Sequence, residues 1–502
     1  MEFSYDIQRT GNIISLLIPA RKYKIFYAIT KEEVLPAIED FSCRLLLILE
    51  NISFDSLADF FGLTTRETEI LVNTLLQKKL AVLNEDGLLT PSSLLLNKSN
   101  TSTEKENSLI KFDEESSSVN FDLLTLRILP NIRYSEDKFG LLEIPTNESQ
   151  INPSINKIIE EFSSQFKTFL NFNKKSKRDI DSTKLYKIMH CEKEKYVHIP
   201  LDIEFRLSPT DEGVPDITRF VKESSKFSYI LSNDLEAQIS DFLNSLKPNP
   251  DYGLSFKSLL EYFYDDVLIK YLDNNKFNFS LWISNRDKKL TGYGNKLTKG
   301  IIGPIYLEPN ANIFFKELGS LIANDNSNSS KYAYWLTSST PLWGANGSDL
   351  RKFNEGIKEI LNKLNNPIEQ ITFFSTEYKD KLKIRYGNRI SNAVTFVNAT
   401  QSDNVEILYI PNLIALVQYH LPPDPDSSLT VPIGFITTDP DKLELVRKLV
   451  NERISSGPIP RKEWGDFTIE DLFDEEDLIK MRGKFKTINT IRKVKRFNIN
   501  PQ

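Results

Sequence analysis

Residues 53–90 read SFDSLADFFGLTTRETEILVNTLLQKKLAVLNEDGLLT, and their punctuation decides how the N-terminal part of the chain is read. Ser53 offers an N-cap oxygen to the helix Phe54–Phe61, and Gly62 stops that helix. Thr64 or Thr65 caps the next one, Arg66–Lys79, with Ile70, Leu71, Leu75 and Leu76 at helical spacing. Leu80-Ala-Val-Leu, the turn Asn84-Glu-Asp-Gly87 and Leu88-Leu-Thr then read as strand, turn, strand. Upstream, Asn12–Pro19 and Lys22–Thr30 are β-like, and Val34–Leu49 has helical periodicity.

Helix, helix, tight glycine turn, helix, hairpin is the order of a winged helix-turn-helix. Its recognition-type helix opens Thr65-Arg66-Glu67-Thr68-Glu69 and closes Gln77-Lys78-Lys79. Arg66, Asn73 and Lys78 are its candidate nucleic-acid contacts, because base edges and phosphates need donors and cations. Glu67, Glu69 and the turn residues Glu85 and Asp86 oppose phosphate. These residue types favour a protein-binding or dimerising winged helix over a DNA reader, and both readings stay open.

Outward from this module, residues 97–120 are rich in Ser, Asn, Thr and Glu and read as a flexible linker. A polar run at Asn173–Asp181 reads as a loop. Beyond Phe121, strand-like runs (among them Phe279–Ile283, Val405–Ile410 and Pro432–Thr437) alternate with helix-like runs such as Asp349–Leu364 and Pro440–Arg453. The expected class is α/β (mixed α+β). The expected organisation is a winged-helix module with N-terminal strands over 1–96, a linker over 97–120, an α/β domain over 121–465 and a charged tail over 466–502. In that tail, Asp466–Asp477 holds seven carboxylates and Lys480–Gln502 eight cations. The stretch with Lys484, Lys486, Arg492, Lys493, Lys495 and Arg496 interleaves cations with Phe485, Ile488, Ile491 and Phe497. That mixture suits a nucleic-acid backbone, and equally an arm docking onto the acidic run before it.

Composition removes several classes. At 502 residues with 40% hydrophobic and 26% charged side chains, the chain is globular in type. Two cysteines, Cys43 and Cys191, build neither a disulfide framework nor a thiolate zinc site. A net charge of -6 gives no global attraction to nucleic acid or anionic lipid, so such contacts need a local patch. The N-terminus lacks the pattern of a secretory signal and no window reaches a membrane span, so the cytoplasm is expected. No cofactor, metal or membrane partner is expected.

The strands VEILYI and LIALVQYH, the loop LPPDPDSSLT, the strand VPIGFITTD and the helix from Pro440 make up Val405–Arg453. In outline this resembles the second half of a phospholipase D-like domain. In that family a strand carries His-x-Lys, the nucleophile and its phosphoryl-stabilising cation, with an Asp at the following turn. Carried over, the His position falls on Glu406, the Lys position on Leu408 and the Asp position on Leu413, with Asn412 the nearest polar residue. The resemblance therefore implies a degenerate copy without phosphodiester chemistry. A winged helix fused to such a domain resembles accessory proteins of bacterial anti-phage defence, which implies a partner-dependent, nucleic-acid-associated role.

Other residues could carry chemistry. His420, followed by Asp424 and Asp426, has the make-up of a general base, although a lone His at a strand end is usually structural. His190, Cys191 and His198 flank an expected hairpin and are soft ligands without the paired spacing of a zinc site. The glycine-rich Thr291–Gly300 reads as a surface turn. The loop Trp343–Asp349 precedes a helix capped by Ser348 or Asp349, a place where α/β folds put anions. The sequence thus points to a non-enzymatic, nucleic-acid-associated or partner-binding subunit of a defence system. The alternatives are a phospholipase D-like phosphodiesterase or nuclease, and a transcriptional regulator with a sensing domain.

Overall fold

Alternating side chains build one long strand, β1 (Arg9–Val34), where two separate runs are expected. Ile14, Leu16, Ile18 and Ala20 are buried in its first half, and Tyr23, Ile25, Tyr27 and Ile29 in its second. The alternation changes phase between them, where the pairing register slips, so each half buries its own face. Pro19 does not break the strand. Its carbonyl accepts from Leu123 N, so its missing N–H faces the side on which the neighbouring strand has just ended. The computed structural model describes residues 8–99, 108–130, 140–173, 176–221, 233–246, 253–324, 330–375, 382–396, 404–423 and 429–482.

The far end of β1 leads into the module: α1 (Ala37–Leu49), α2 (Phe54–Phe61), α3 (Thr65–Gln77), β2 (Ala81–Leu83), β3 (Leu89–Pro91) and α4 (Ser93–Ser99). Ser53 caps α2, and Gly62 ends it in the left-handed conformation. Thr64 and Glu67 form a capping box on α3. Leu35, Cys43, Leu46, Leu57, Leu71, Leu75, Leu80 and Leu89 make the module's own core.

The chain returns as β4 (Ser108–Asp122), antiparallel to β1 from Val34↔Ser108 to Ala20↔Asp122. Residues 108–120 are thus strand, not the expected flexible linker. The polarity that suggested a linker serves the strand. Inward Asp113 and Glu115 meet Lys31 at 3.2 and 3.5 Å, and Ser117 meets the Tyr27 hydroxyl. Next come β5 (Ile128–Leu129), β6 (Leu142–Glu143), α5 (Glu148–Ile151), α6 (Ile155–Ser164), α7 (Phe166–Phe172) and α8 (Lys177–Ser182). Phe162, Phe166 and Phe169 of α6 and α7 pack their rings on Tyr27. α8, capped by Ser176, occupies part of the run expected as a loop.

β7 (Thr183–Ser208) pairs with β1 over nearly its whole length, and β8 (Asp216–Val221) flanks it, giving the order β5-β4-β1-β7-β8. The stretch around His190 and His198 is therefore one bulged strand and not a hairpin. At about 3.3 Å per residue, 26 residues of β1 span up to about 85 Å and carry the module away from the larger body.

That body begins with α9 (Asn233–Ser245), α10 (Phe256–Tyr262), β9 (Leu272–Asp273), β10 (Lys276–Phe277) and α11 (Phe279–Asp287). The run Phe279–Ile283, expected as a strand, is helical because the Asn278 side chain caps Leu281 N. The remaining elements are β11 (Thr298–Ile302), α12 (Glu308–Asn324), β12 (Tyr332–Leu336), α13 (Asp349–Leu361), β13 (Glu369–Phe374), α14 (Leu382–Tyr386), β14 (Ala393–Thr395), β15 (Val405–Ile410), β16 (Ile414–Leu421), β17 (Val431–Thr437), α15 (Pro440–Ser455) and β18 (Arg461–Trp464). They form an eight-stranded mixed sheet ordered β11-β17-β16-β15-β12-β13-β14-β18, with β12, β13 and β14 parallel and β15 antiparallel to β12. One face buries Trp335, Leu408, Ile410 and Leu416 against Phe314 and Phe353 of α12 and α13. The other buries Ile407, Val417 and Phe435 against α10, α11 and α15. The class is mixed α/β. The acidic run expected to lead the tail is anchored here, with Phe467, Leu472 and Met481 buried and Lys331 bonded to Asp471.

Candidate functional site

Parallel strands β12, β13 and β14 aim their carboxyl ends at one edge of the large sheet, where open α/β folds place ligands. β15 runs back from that edge, and Glu406 stands beside the end of β12. The Glu406 carboxylate accepts from Trp335 Nε1 at 2.8 Å and lies 2.7 Å from His420 Nε2. Glu406 is 1% exposed and His420 3%. Burial and the nearby Glu406 push the Tyr306 phenol well above its ordinary range. Leu408 is wholly buried in the core, and Leu413 packs against that core. The positions that the resemblance gives to nucleophile, cation and carboxylate thus hold a buried, hydrogen-bonded carboxylate and two apolar side chains.

The start of β1 packs against this edge. Asn12 Nδ2 donates to Thr430 O at 2.8 Å, and Ser15 N to Ala345 O at 2.7 Å. Gly347 N donates to Ser15 Oγ at 2.9 Å. Gly303 sits at φ +81 with Gly11 O and Thr10 O close to where a Cβ would be, so only glycine lets the two segments approach this closely. Arg389, 2% exposed, donates to Gly344 O and Asn346 O and clamps the loop before α13. That loop differs from expectation in its cap. Ser348 makes no side-chain cap bond, and Asn346 Oδ1 accepts from Asp349 N instead. On the other face, a cavity of about 390 Å³ opens beside Thr337, between Tyr262 and Arg453.

The module presents a different surface. Eleven of the twenty-four exposed large apolar side chains among the described residues fall within residues 38–96, so this small module is the most apolar part of the surface. On α1, Ile38, Phe41 and Ile48 are exposed and Leu45 half-buried. On α4, Leu94 and Leu96 are exposed, and on the hairpin Val82 and Leu83. Between residues 35 and 96, nine carboxylates face four cations.

The residues singled out for nucleic acid are scattered. Arg66 and Asn73 are exposed on α3, separated by exposed Ile70. Lys78 does not reach outward, because it pairs with buried Glu39 at 2.6 Å. The Glu67 carboxyl is held below its usual range by hydrogen bonds from Thr64, and so keeps its negative charge at the start of α3. Lys484, Lys486, Arg492, Lys493, Lys495 and Arg496 lie outside the described residues.

The soft-ligand trio is dispersed along β7. Cys191 points into the core, His190 lies against Phe26, and His198 pairs with Glu143 at 3.0 Å. Among the described residues no group of three or more His, Cys, Asp or Glu side chains is arranged to hold a metal ion. No described helix is long and apolar enough to cross a membrane. Tyr293 of the glycine-rich run donates to Asp265 at 2.7 Å, and Lys299 pairs with Glu317, which ties this segment to its neighbours.

Sequence reasoning misses two features of the site. The Glu406–His420 pair joins residues 14 apart whose strands are adjacent, and no motif announces it. The strand that packs against this edge, β1, comes from the opposite end of the chain. No protein-family model matches the chain, and no curated protein does. Among solved structures, that of TrmBL2, an archaeal chromatin protein described as showing a novel mode of DNA binding, aligns over 86% of this chain and 95% of that chain. The identity is 8% and the TM-score 0.22, too loose to establish a common fold.

Proposed function

We propose that the protein is a non-catalytic, partner-binding subunit, and that its N-terminal module docks a second copy of the chain through α1. The observation that carries this reading is the stripe of exposed Ile38, Phe41 and Ile48 with half-buried Leu45 among them. Its spacing of three, four and three residues is that of a coiled-coil seam. The spacing is also symmetric about residue 43. In an antiparallel pair around a two-fold axis, Ile38 meets Ile48 of the other copy and Phe41 meets Leu45. A stripe with this symmetry is self-complementary, as an isologous interface requires. Leu94 and Leu96 of α4, which packs beside α1, extend the apolar surface.

Charge argues against phosphate at the same module, since its carboxylates outnumber its cations about two to one. The burial of the Glu406–His420 pair supports a non-catalytic role for that position of the larger body. A subunit of a bacterial defence complex, which the phospholipase D-like resemblance implies, is one assembly of this kind. Light scattering coupled to gel filtration on the full chain tests the reading. The wild type should run as a dimer and the variant F41E/I48E as a folded monomer. A wild type that stays monomeric at tens of micromolar refutes it.

A further inference from the structure

We propose that the cleft between the start of β1 and the N-termini of α12 and α13 binds a small molecule through an oxyanion group, a phosphate or a carboxylate. The cleft has a volume of about 490 Å³, within the range of small-molecule sites. Arg286, in the last turn of α11, lines it and donates to Gly300 O. Among the described residues no carboxylate pairs with the Arg286 guanidinium. Burial and the neighbouring Arg9 both work against its positive charge. Arg9 bonds Asp287 at 2.9 Å through Nη2, which leaves its buried Nε without a hydrogen-bond partner.

A partly desolvated cation beside a second cation is costly unless an anion joins them. Two of the three carboxylates that line the cleft accept hydrogen bonds from neighbouring side chains. Glu204 accepts from Thr10 Oγ1 at 2.6 Å and from Arg206 at 2.9 and 3.0 Å. Asp349 accepts from Asn346 Nδ2 and Ser348 Oγ, and Glu308 is exposed at the rim. The N-termini of α12 and α13 also open here, with Glu308 and Asp349 in their first turns. Two arginine forks facing one cleft fit an oxyanion. Ile13, Ile302 and Leu307 offer apolar surface to the rest of the molecule.

The test is calorimetric titration and thermal melting of the full chain with inorganic phosphate, adenosine 5′-monophosphate, malonate and adenosine. At least one of the three oxyanions should bind and raise Tm. Tighter binding of the nucleotide or phosphate marks a phosphate ligand, and tighter binding of malonate a carboxylate. Arg286→Met should weaken that binding at least about tenfold, as expected for loss of a charged hydrogen bond, with Arg286→Lys intermediate. Gln8→Glu, at the exposed rim, leaves the core untouched and should also weaken it by repulsion. No binding of any oxyanion, binding of adenosine alone, or equal binding by wild type, Arg286→Met and Gln8→Glu would overturn the assignment.

Discussion

Glu406 shows how a single side chain decides between chemistry and structure. A carboxylate at the edge of an α/β sheet is a catalytic candidate only if substrate can reach it. Here its two oxygens face Trp335 Nε1 and His420 Nε2, and all three side chains are buried. Glu406→Leu should therefore leave Trp335 Nε1 and His420 Nε2 without a partner in the core, lowering stability by about 3 kcal/mol. Glu406→Gln keeps one acceptor and should cost about 1–2 kcal/mol. Calorimetric melting of both variants measures this, and an unchanged Tm for Glu406→Leu would contradict the pairing. Burial pushes the Tyr27 phenol from 10.0 up to about 12. The unfolded chain ionises first, so this contribution is complete below pH 10 and is lost as pH rises through 12. Tyr27→Phe should flatten the loss of Tm across that window, and a parallel loss in both proteins would refute the assignment. Glu406 and Leu408 are legible in the sequence as departures from His-x-Lys. The partner of Glu406 is not, because His420 reaches it only through the pairing of β15 with β16.

Elements whose signals are local are the ones that sequence reading recovers. Ser53, Gly62 and Thr64 mark the ends of α2 and the start of α3, because caps act within one turn of chain. Thr64→Ala should lower stability by about 1 kcal/mol in denaturant titration. Elements that depend on distant partners are misread. β4 is a strand because β1 accepts it, although its Ser- and Glu-rich sequence has the composition of a linker. Phe279–Ile283 is apolar enough for a strand, yet Asn278 starts a helix there. Within the sheet, Gly434 of β17 has a positional reason. A Cβ there would stand 1.9 Å from Val417 O on the adjacent strand. Gly434→Ala should force β16 and β17 apart and cost about 3 kcal/mol, near the upper end for overpacking. A Tm shift of less than a degree would show that the close approach of the two strands is not real.

At the scale of the whole molecule, the N-terminal strand has two jobs at its two ends. One end is pinned to the carboxyl edge of the large sheet through Asn12 and Ser15. The other carries a small module whose exposed surface is apolar and acidic. The element order of that module is readable from residues 53–90, and so is the acidity of its would-be recognition helix. Its exposed stripe is not readable, because Ile38, Phe41 and Ile48 look like core residues until α1 is seen to bury its opposite face through Glu39, Cys43 and Leu46. The buried Glu406–His420 pair and the apolar stripe on α1 together support the proposed subunit that docks rather than catalyses. Sedimentation equilibrium of the full chain, compared with F41E/I48E at matched circular dichroism, tests it most directly. The account predicts a concentration-dependent dimer that the two substitutions abolish. A wild type that is monomeric throughout, or a dimer indifferent to both substitutions, would contradict it.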